Sequence, residues 1–222
     1  MSIDAQGAPP PPGPYDVLEA EFVASAALET SLPAPTLAEV AFAGRSNVGK
    51  SSMLNALLQR RGLVRTSGTP GCTRAINLFH AKTRGGLDFH LVDLPGYGFA
   101  RRSKEERLQW GVLLEGYLLK RPSLRAVVVI VDTRRGLEDD DRALLDFCAQ
   151  KRAGNAPLAT MVVATKLDLL SKSKRKPALA TVRAGAGRPV HGFSAETGEG
   201  REDLWRAIER AVLGDPVAVE GG

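Results

Sequence analysis

Residues 44 to 52 read GRSNVGKSS and lie between the apolar run EVAFA and the segment MLNALL. Glycines let a backbone curl until successive N–H groups point inward, a lysine adds a compact positive charge, and a serine hydroxyl is a hard oxygen ligand. Together these are the parts of a phosphate cradle, and Gly44, Gly49, Lys50 and Ser51 match the pattern G-x-x-x-x-G-K-[ST] in the strand-to-helix context it requires. Lys50 is expected to neutralise the β- and γ-phosphates of a nucleotide, and Ser51 to ligate Mg²⁺.

Three further constellations follow at the ends of apolar runs. In LVDLPGYG, residues 91 to 98, Asp93 is placed to hold the Mg²⁺ shell and the Gly96 N–H to meet the γ-phosphate. In TKLD, residues 165 to 168, Asp168 is placed to accept from guanine N1–H and the exocyclic amine. Adenine would present an acceptor to that carboxylate, so the tetrapeptide selects GTP over ATP. Lys166 is expected to run along the base and the phosphate loop. FSAETGEG, residues 193 to 200, offers backbone N–H groups around Ser194 and Ala195 to the guanine oxygen. Between the first two motifs lies RTSGTPGCTRAINLF, residues 65 to 79, where Thr73 is the expected switch ligand of Mg²⁺ and Thr69 the alternative.

These motifs need a scaffold that delivers strand ends to one place. The alternation of short apolar runs and helical patterns predicts strands at 38–43, 75–81, 87–92, 126–131, 158–164 and 189–193. Helices are expected at 50–60, 104–120, 139–152, 174–184 and 201–213. That order is an α/β, three-layer architecture: a mostly parallel six-stranded sheet with helices on both faces, and ligands beyond the carboxyl ends of the strands. Residues 1–14 are proline-rich and read as a disordered tail, 15–214 as the one domain, and 215–222 as a flexible end. No apolar run approaches the ~20 residues that span a bilayer, so no membrane insertion is expected. Two cysteines, Cys72 and Cys148, fit no disulfide or metal spacing and suit a reducing cytoplasm.

Thirty Lys and Arg against 25 Asp and Glu give a net charge of +5. The positives cluster at Arg60, Arg61, Arg65 and Arg74, at Arg101, Arg102 and Lys104, at Lys120, Arg121 and Arg125, and in KSKRK at 172–176. Several such clusters in one chain suggest a polyanionic partner.

The segments VAFAGRSNVGKSS, RTSGTPGCTRAINLF, LVDLPGYGFA and ATKLDLL together resemble the Ras-like GTPase domain of the translation-factor-related branch, and within it the EngB family of GTP-binding proteins. The resemblance runs from about Asp16 to about Gly214. It implies a small cytoplasmic GTPase, acting as a monomer, that assists assembly of a large ribosomal subunit precursor and is linked to cell division and septation. It further implies a nucleotide site lined by Gly44, Arg45, Ser46, Asn47, Val48, Gly49, Lys50 and Ser51, by Gly71, Cys72, Thr73, Arg74 and Ala75, by Asp93, Leu94, Pro95 and Gly96, by Thr165, Lys166, Leu167 and Asp168, and by Phe193, Ser194 and Ala195. Ser51, Thr73 and Asp93 would hold Mg²⁺; Lys50, Thr73, Gly96 and Asn47 would serve hydrolysis. Tyr97 stands where Ras-type enzymes carry the glutamine that orients the attacking water, so hydrolysis by the isolated chain should be slow. Either K⁺ held by Asn47 or a group from the ribosomal particle could compensate, and Asn47 could equally serve only a tight turn. The alternative class is a signalling or transport switch with a protein partner and no ribosomal role.

Overall fold

Apolar strands without alternation require cover on both faces, and the pleat then sends neighbouring residues to different cores. The run at 126–131 does this: Ala126, Val128 and Ile130 enter one core while Val127, Val129 and Val131 enter the other. The computed structural model describes residues 12–27, 31–65, 75–97, 104–150 and 154–214, with the backbone alone for 104–110.

In chain order the elements are β1 (Val17–Ala26), β2 (Glu39–Gly44), α1 (Lys50–Leu57), β3 (Ile76–Thr83), β4 (Asp88–Asp93), α2 (Lys104–Lys120) and β5 (Leu124–Asp132). Then come α3 (Asp139–Cys148), β6 (Ala159–Thr165), a single 3₁₀ turn (Leu167–Leu169), α4 (Lys172–Ala186), β7 (Val190–Gly192) and α5 (Arg201–Leu213). The sheet order is β1-β3-β4-β2-β5-β6-β7. Strands β4, β2, β5, β6 and β7 run parallel, whereas β3 returns antiparallel to β4 and β1 antiparallel to β3. Helices α1 and α5 cover one face through Met53, Leu54, Leu57, Leu204, Trp205 and Ile208. Helices α2, α3 and α4 cover the other through Leu114, Tyr117, Leu118, Leu144, Leu145 and Val182.

The three-layer α/β expectation holds, but the sheet has seven strands where six were expected. The additional one, β1, lies at the edge and breaks register between Val17 and Glu19 and again between Phe22 and Ala24. Two irregularities in ten residues erase the period-2 signal by which a half-buried strand is recognised. Gly13 and Pro14 are also bonded into the domain: the Gly85 N–H donates to Pro14 O at 2.7 Å and the Gly13 N–H to Asp16 Oδ2 at 2.9 Å. Residues 1–11 and 215–222, assigned to tails from the sequence, lie outside the described residues.

One member of the basic clusters leaves the surface altogether. Arg121 is buried and grips the fully buried Glu39 at 2.6 to 3.1 Å, while the Tyr117 hydroxyl donates to the same carboxylate at 2.7 Å. This network joins the end of α2 to the start of β2, at the opposite end of the sheet from the motif loops. Breaking it would strand a buried charge, so it fixes the packing of α2 and presents nothing to a polyanion.

Candidate nucleotide-binding site

The loop after β2 turns into α1 through residues of unusual backbone. Gly49, with φ of +97°, precedes α1, a conformation that strains any side chain. α1 receives no side-chain cap and carries no acid in its first turn, so the N–H groups at its start remain available to an anion, reinforced by the helix dipole. Gly96 lies close against this loop, since a Cβ there would meet Ser46 Oγ at 3.2 Å and Gly44 O at 3.4 Å. The two loops are laced together: the Ser46 N–H donates to Tyr97 O at 3.3 Å and the Tyr97 N–H to Gly44 O at 3.4 Å.

Lys50 and Asp93 form a mostly buried ion pair between the start of α1 and the end of β4. Asp93 ends β4 and Ser51 lies in the first turn of α1, one contributing a carboxylate and the other a hydroxyl. Mg²⁺ is held by one or two such hard oxygens together with waters and substrate phosphates, so this donor set fits that ion. Among the described residues there is no group of three or more His, Cys, Asp or Glu side chains that could enclose a metal without a substrate. The expected switch ligands Thr73 and Thr69, with Gly71, Cys72 and Arg74, lie outside the described residues; Ala75, at the entry to β3, is half-buried.

The guanine-side motif reaches the phosphate loop directly. Thr165 Oγ1 lies 2.6 Å from Val48 O and Lys166 Nζ donates to Asn47 O at 2.7 Å. Asn47 and Lys166 are two of three non-glycine residues with positive φ among those described, at 66° and 63°. Asparagine visits that region readily; for lysine it costs about 1 kcal/mol or more and persists only where the surroundings impose it. Here the lysine's reach to Asn47 O is what is gained. Leu167 is buried and anchors the 3₁₀ turn, which leaves Asp168 half-exposed beside Ser194, whose hydroxyl donates to Asp168 Oδ1 at 2.6 Å. The Phe193 N–H is bonded to Ala164 O and the Ser194 N–H to Glu199 O. Of the amides expected to meet the guanine oxygen, that of Ala195 therefore remains and that of Ser194 is spent.

Several residues of the site escaped the motif reading. Asp132, at the carboxyl end of β5, accepts from Lys166 Nζ at 3.0 Å and from Arg134 at 2.7 and 2.9 Å. Burial alone would raise its pKa, but the hydrogen bonds from Arg134 and Lys166 outweigh it and hold the carboxyl well below the usual range. Thr133 donates to Thr165 O at 2.5 Å and so braces the same motif. On the phosphate side, Arg45 pairs with Glu138 at the start of α3, and the buried Tyr97 hydroxyl donates to Asp141 Oδ1 at 2.8 Å. The Tyr97 hydroxyl is thus engaged with α3, consistent with a residue that does not take the place of a water-orienting glutamine. Asp132 had one legible signal, its position at the end of an apolar strand; Glu138 and Asp141 had none.

Comparison with known proteins agrees with this geometry. The family model described as "50S ribosome-binding GTPase" matches residues 39–166. "Probable GTP-binding protein EngB" of Geobacter metallireducens is 46% identical over 210 residues, covering 93% of this chain and 98% of that protein. The protein of the same name from Syntrophotalea carbinolica is 43% identical over 199 residues, covering 88% and 92%. A crystal structure titled as a probable GTP-binding protein engB aligns with a TM-score of 0.59 at 24% identity, covering 80% of this chain and 100% of that one, and so shares its fold.

Proposed function

Because the chain belongs to the 50S ribosome-binding GTPase family, in its EngB branch, and therefore binds GTP and hydrolyses it to GDP and phosphate, we propose that it is a cytoplasmic, nucleotide-controlled factor in the assembly of the large ribosomal subunit. The link to cell division and septation that its sequence resemblance implies belongs to the same reading. The observation that carries the reading is the bonding of the T-K-x-D motif to the phosphate loop, Thr165 to Val48 O and Lys166 to Asn47 O. It sets one carboxylate, Asp168, in fixed relation to one cradle of amides, so a guanine base and its phosphates are recognised as a unit.

Each group then has a task. Amides at the start of α1 and the Lys50 ammonium bind the β- and γ-phosphates, Ser51 and Asp93 hold Mg²⁺, and Asp168 selects the base. Bound Mg²⁺ would neutralise charge on the phosphate oxygens. With Tyr97 turned to α3, hydrolysis by the chain alone is slow, and the missing help comes from K⁺ at Asn47 or from the ribosomal particle. No helix among the described residues is long and apolar enough to cross a membrane.

Three measurements test this reading. Asp168→Asn should transfer preference from guanosine to xanthosine nucleotides, by a factor of about 10³ or more in relative affinity; retained guanine selectivity would remove the base assignment. Sedimentation with ribosomal subunits should show co-migration with the large subunit when a non-hydrolysable GTP analogue is bound, and its absence would remove the ribosomal role. Equal turnover in KCl and NaCl would rule out K⁺ and leave the particle.

A further inference from the structure

We infer that the outer flank of α4, continuing across the open edge of β7, is the face that docks on ribosomal RNA phosphates, an inference that rests on the ribosomal reading above. Lys172, Lys174, Lys176 and Arg183 are all exposed, and none forms an ion pair among the described residues. Helical spacing puts Lys172, Lys176 and Arg183 along one flank, while Val182 turns to the core. Leu179 lies on the same side and packs toward Gly192 of β7, so this flank borders the outermost strand of the sheet. On that strand the half-buried His191 lies within electrostatic range of Arg183 from α4 and Arg210 from α5, with Asp203 as the opposing acid. Of the other nearby carboxylates, Glu199 is already paired with Arg175 at 2.6 Å.

The placement of these charges runs against what a helix needs for itself. Acids open α3 (Asp139, Asp140, Asp141) and α5 (Glu202, Asp203), where they complement the positive end of the helix dipole. α4 opens with no acid; Lys172, Lys174, Arg175 and Lys176 crowd its start, followed by Pro177 inside the helix. A local rule broken in this way, on an exposed face, marks a segment whose complement is supplied by another molecule. Negative charge spaced along a backbone is that complement. No large apolar side chain of α4 is exposed, which a lipid-docking helix would require, so the surface fits RNA rather than a membrane.

The flank is also tied to the base pocket. Arg175 donates to Leu170 O at 3.1 Å and to Glu199 at 2.6 Å, joining the start of α4 to the loops that carry Asp168 and Ser194. Among the described residues the phosphate loop itself makes no such bond to α4; the link to that side runs through α3, whose Arg142 donates to Gly185 O at 2.9 Å near the far end of α4. RNA affinity through this face should therefore be the same with GDP as with a GTP analogue, and the triphosphate dependence of docking must arise elsewhere.

The test is the triple variant Lys172→Gln, Lys176→Gln, Arg183→Gln, titrated with purified large ribosomal subunits across a salt series. Each lost phosphate contact should lower the slope of log affinity against log salt by about 1, about 3 in all. GTP turnover and the unfolding midpoint should not change, and the loss should be equal with either nucleotide. A control triple, Arg61→Gln, Arg84→Gln, Arg125→Gln, should keep the wild-type slope. A wild-type slope in the α4 variant, an equal fall in the control, or a loss confined to phosphatidylglycerol vesicles would overturn the docking face and leave the ribosomal reading intact. Wild-type protein that fails to bind the subunits even at low salt would overturn that reading itself.

Discussion

Helices α3 and α4 both begin beside the nucleotide site, on the same face of the sheet, and they are built in opposite ways. The start of α3 is acidic, and while Asp139 and Asp140 are exposed, its other two acids are spent inside the protein. Glu138 and Asp141 form a reciprocal capping box, Glu138 also pairs with Arg45 of the phosphate loop, and Asp141 accepts from Tyr97. The start of α4 is basic, and among the described residues only Arg175 of its first cations is bonded within the fold. The contrast separates two uses of charge: one helix start braces the loops that hold phosphate, and the other leaves its charge for a partner.

The strongest way to break the comparison is to remove the brace. Asp141→Ala removes the acceptor of the buried Tyr97 hydroxyl and of the Glu138 N–H, and should cost about 2–4 kcal/mol of stability in urea unfolding. A loss of a few tenths would mean that the brace carries no stability.

A second break uses pH, because the two sides of the site titrate in opposite senses. Burial raises the pKa of Asp141 more than its hydrogen bonds from the Glu138 N–H and Tyr97 lower it, so its contribution is full at acid pH and declines as pH rises above about 4. Asp132 is held low, so its contribution is full at neutral pH and is lost as pH falls below about 4. Asp132→Asn should flatten the acid loss of stability and Asp141→Asn the decline on the other side, each by up to about 1.4 kcal/mol per pH unit. Unchanged profiles would refute the assignment of these groups.

Tyr97→Phe, which deletes one hydroxyl, should cost about 1 kcal/mol, and its coupling to Asp141→Ala in a double-mutant cycle should be of similar size. The smallest effect sharpens the other half of the comparison. Lys172→Glu puts an acid where α4 lacks one and should raise stability by about 0.3–1 kcal/mol at low salt, with weaker binding to the large subunit. A destabilised variant would show that Lys172 serves the fold.

Much of this was legible in the chain because it is local. The helices at 104–120 and 201–213 match their expected bounds, and the five parallel strands fall within two residues of theirs, since apolar runs and periodicity act over a few residues at a time. β1 was not legible, because its two register breaks hide the alternation and six of its ten residues are exposed.

The sequence by itself determined the kind of chemistry: a glycine-rich turn, a lysine and a hydroxyl ahead of a helix, with carboxylates at two later strand ends. Those are consequences of backbone geometry within a few residues of each motif. Only the tertiary structure decided which charge meets which. Arg121 went to Glu39 across 82 residues, Tyr97 to Asp141 across 44, and Thr165 to Val48 across 117. A partner at such separation is chosen by sheet order and helix packing, and no spacing rule along the chain encodes it.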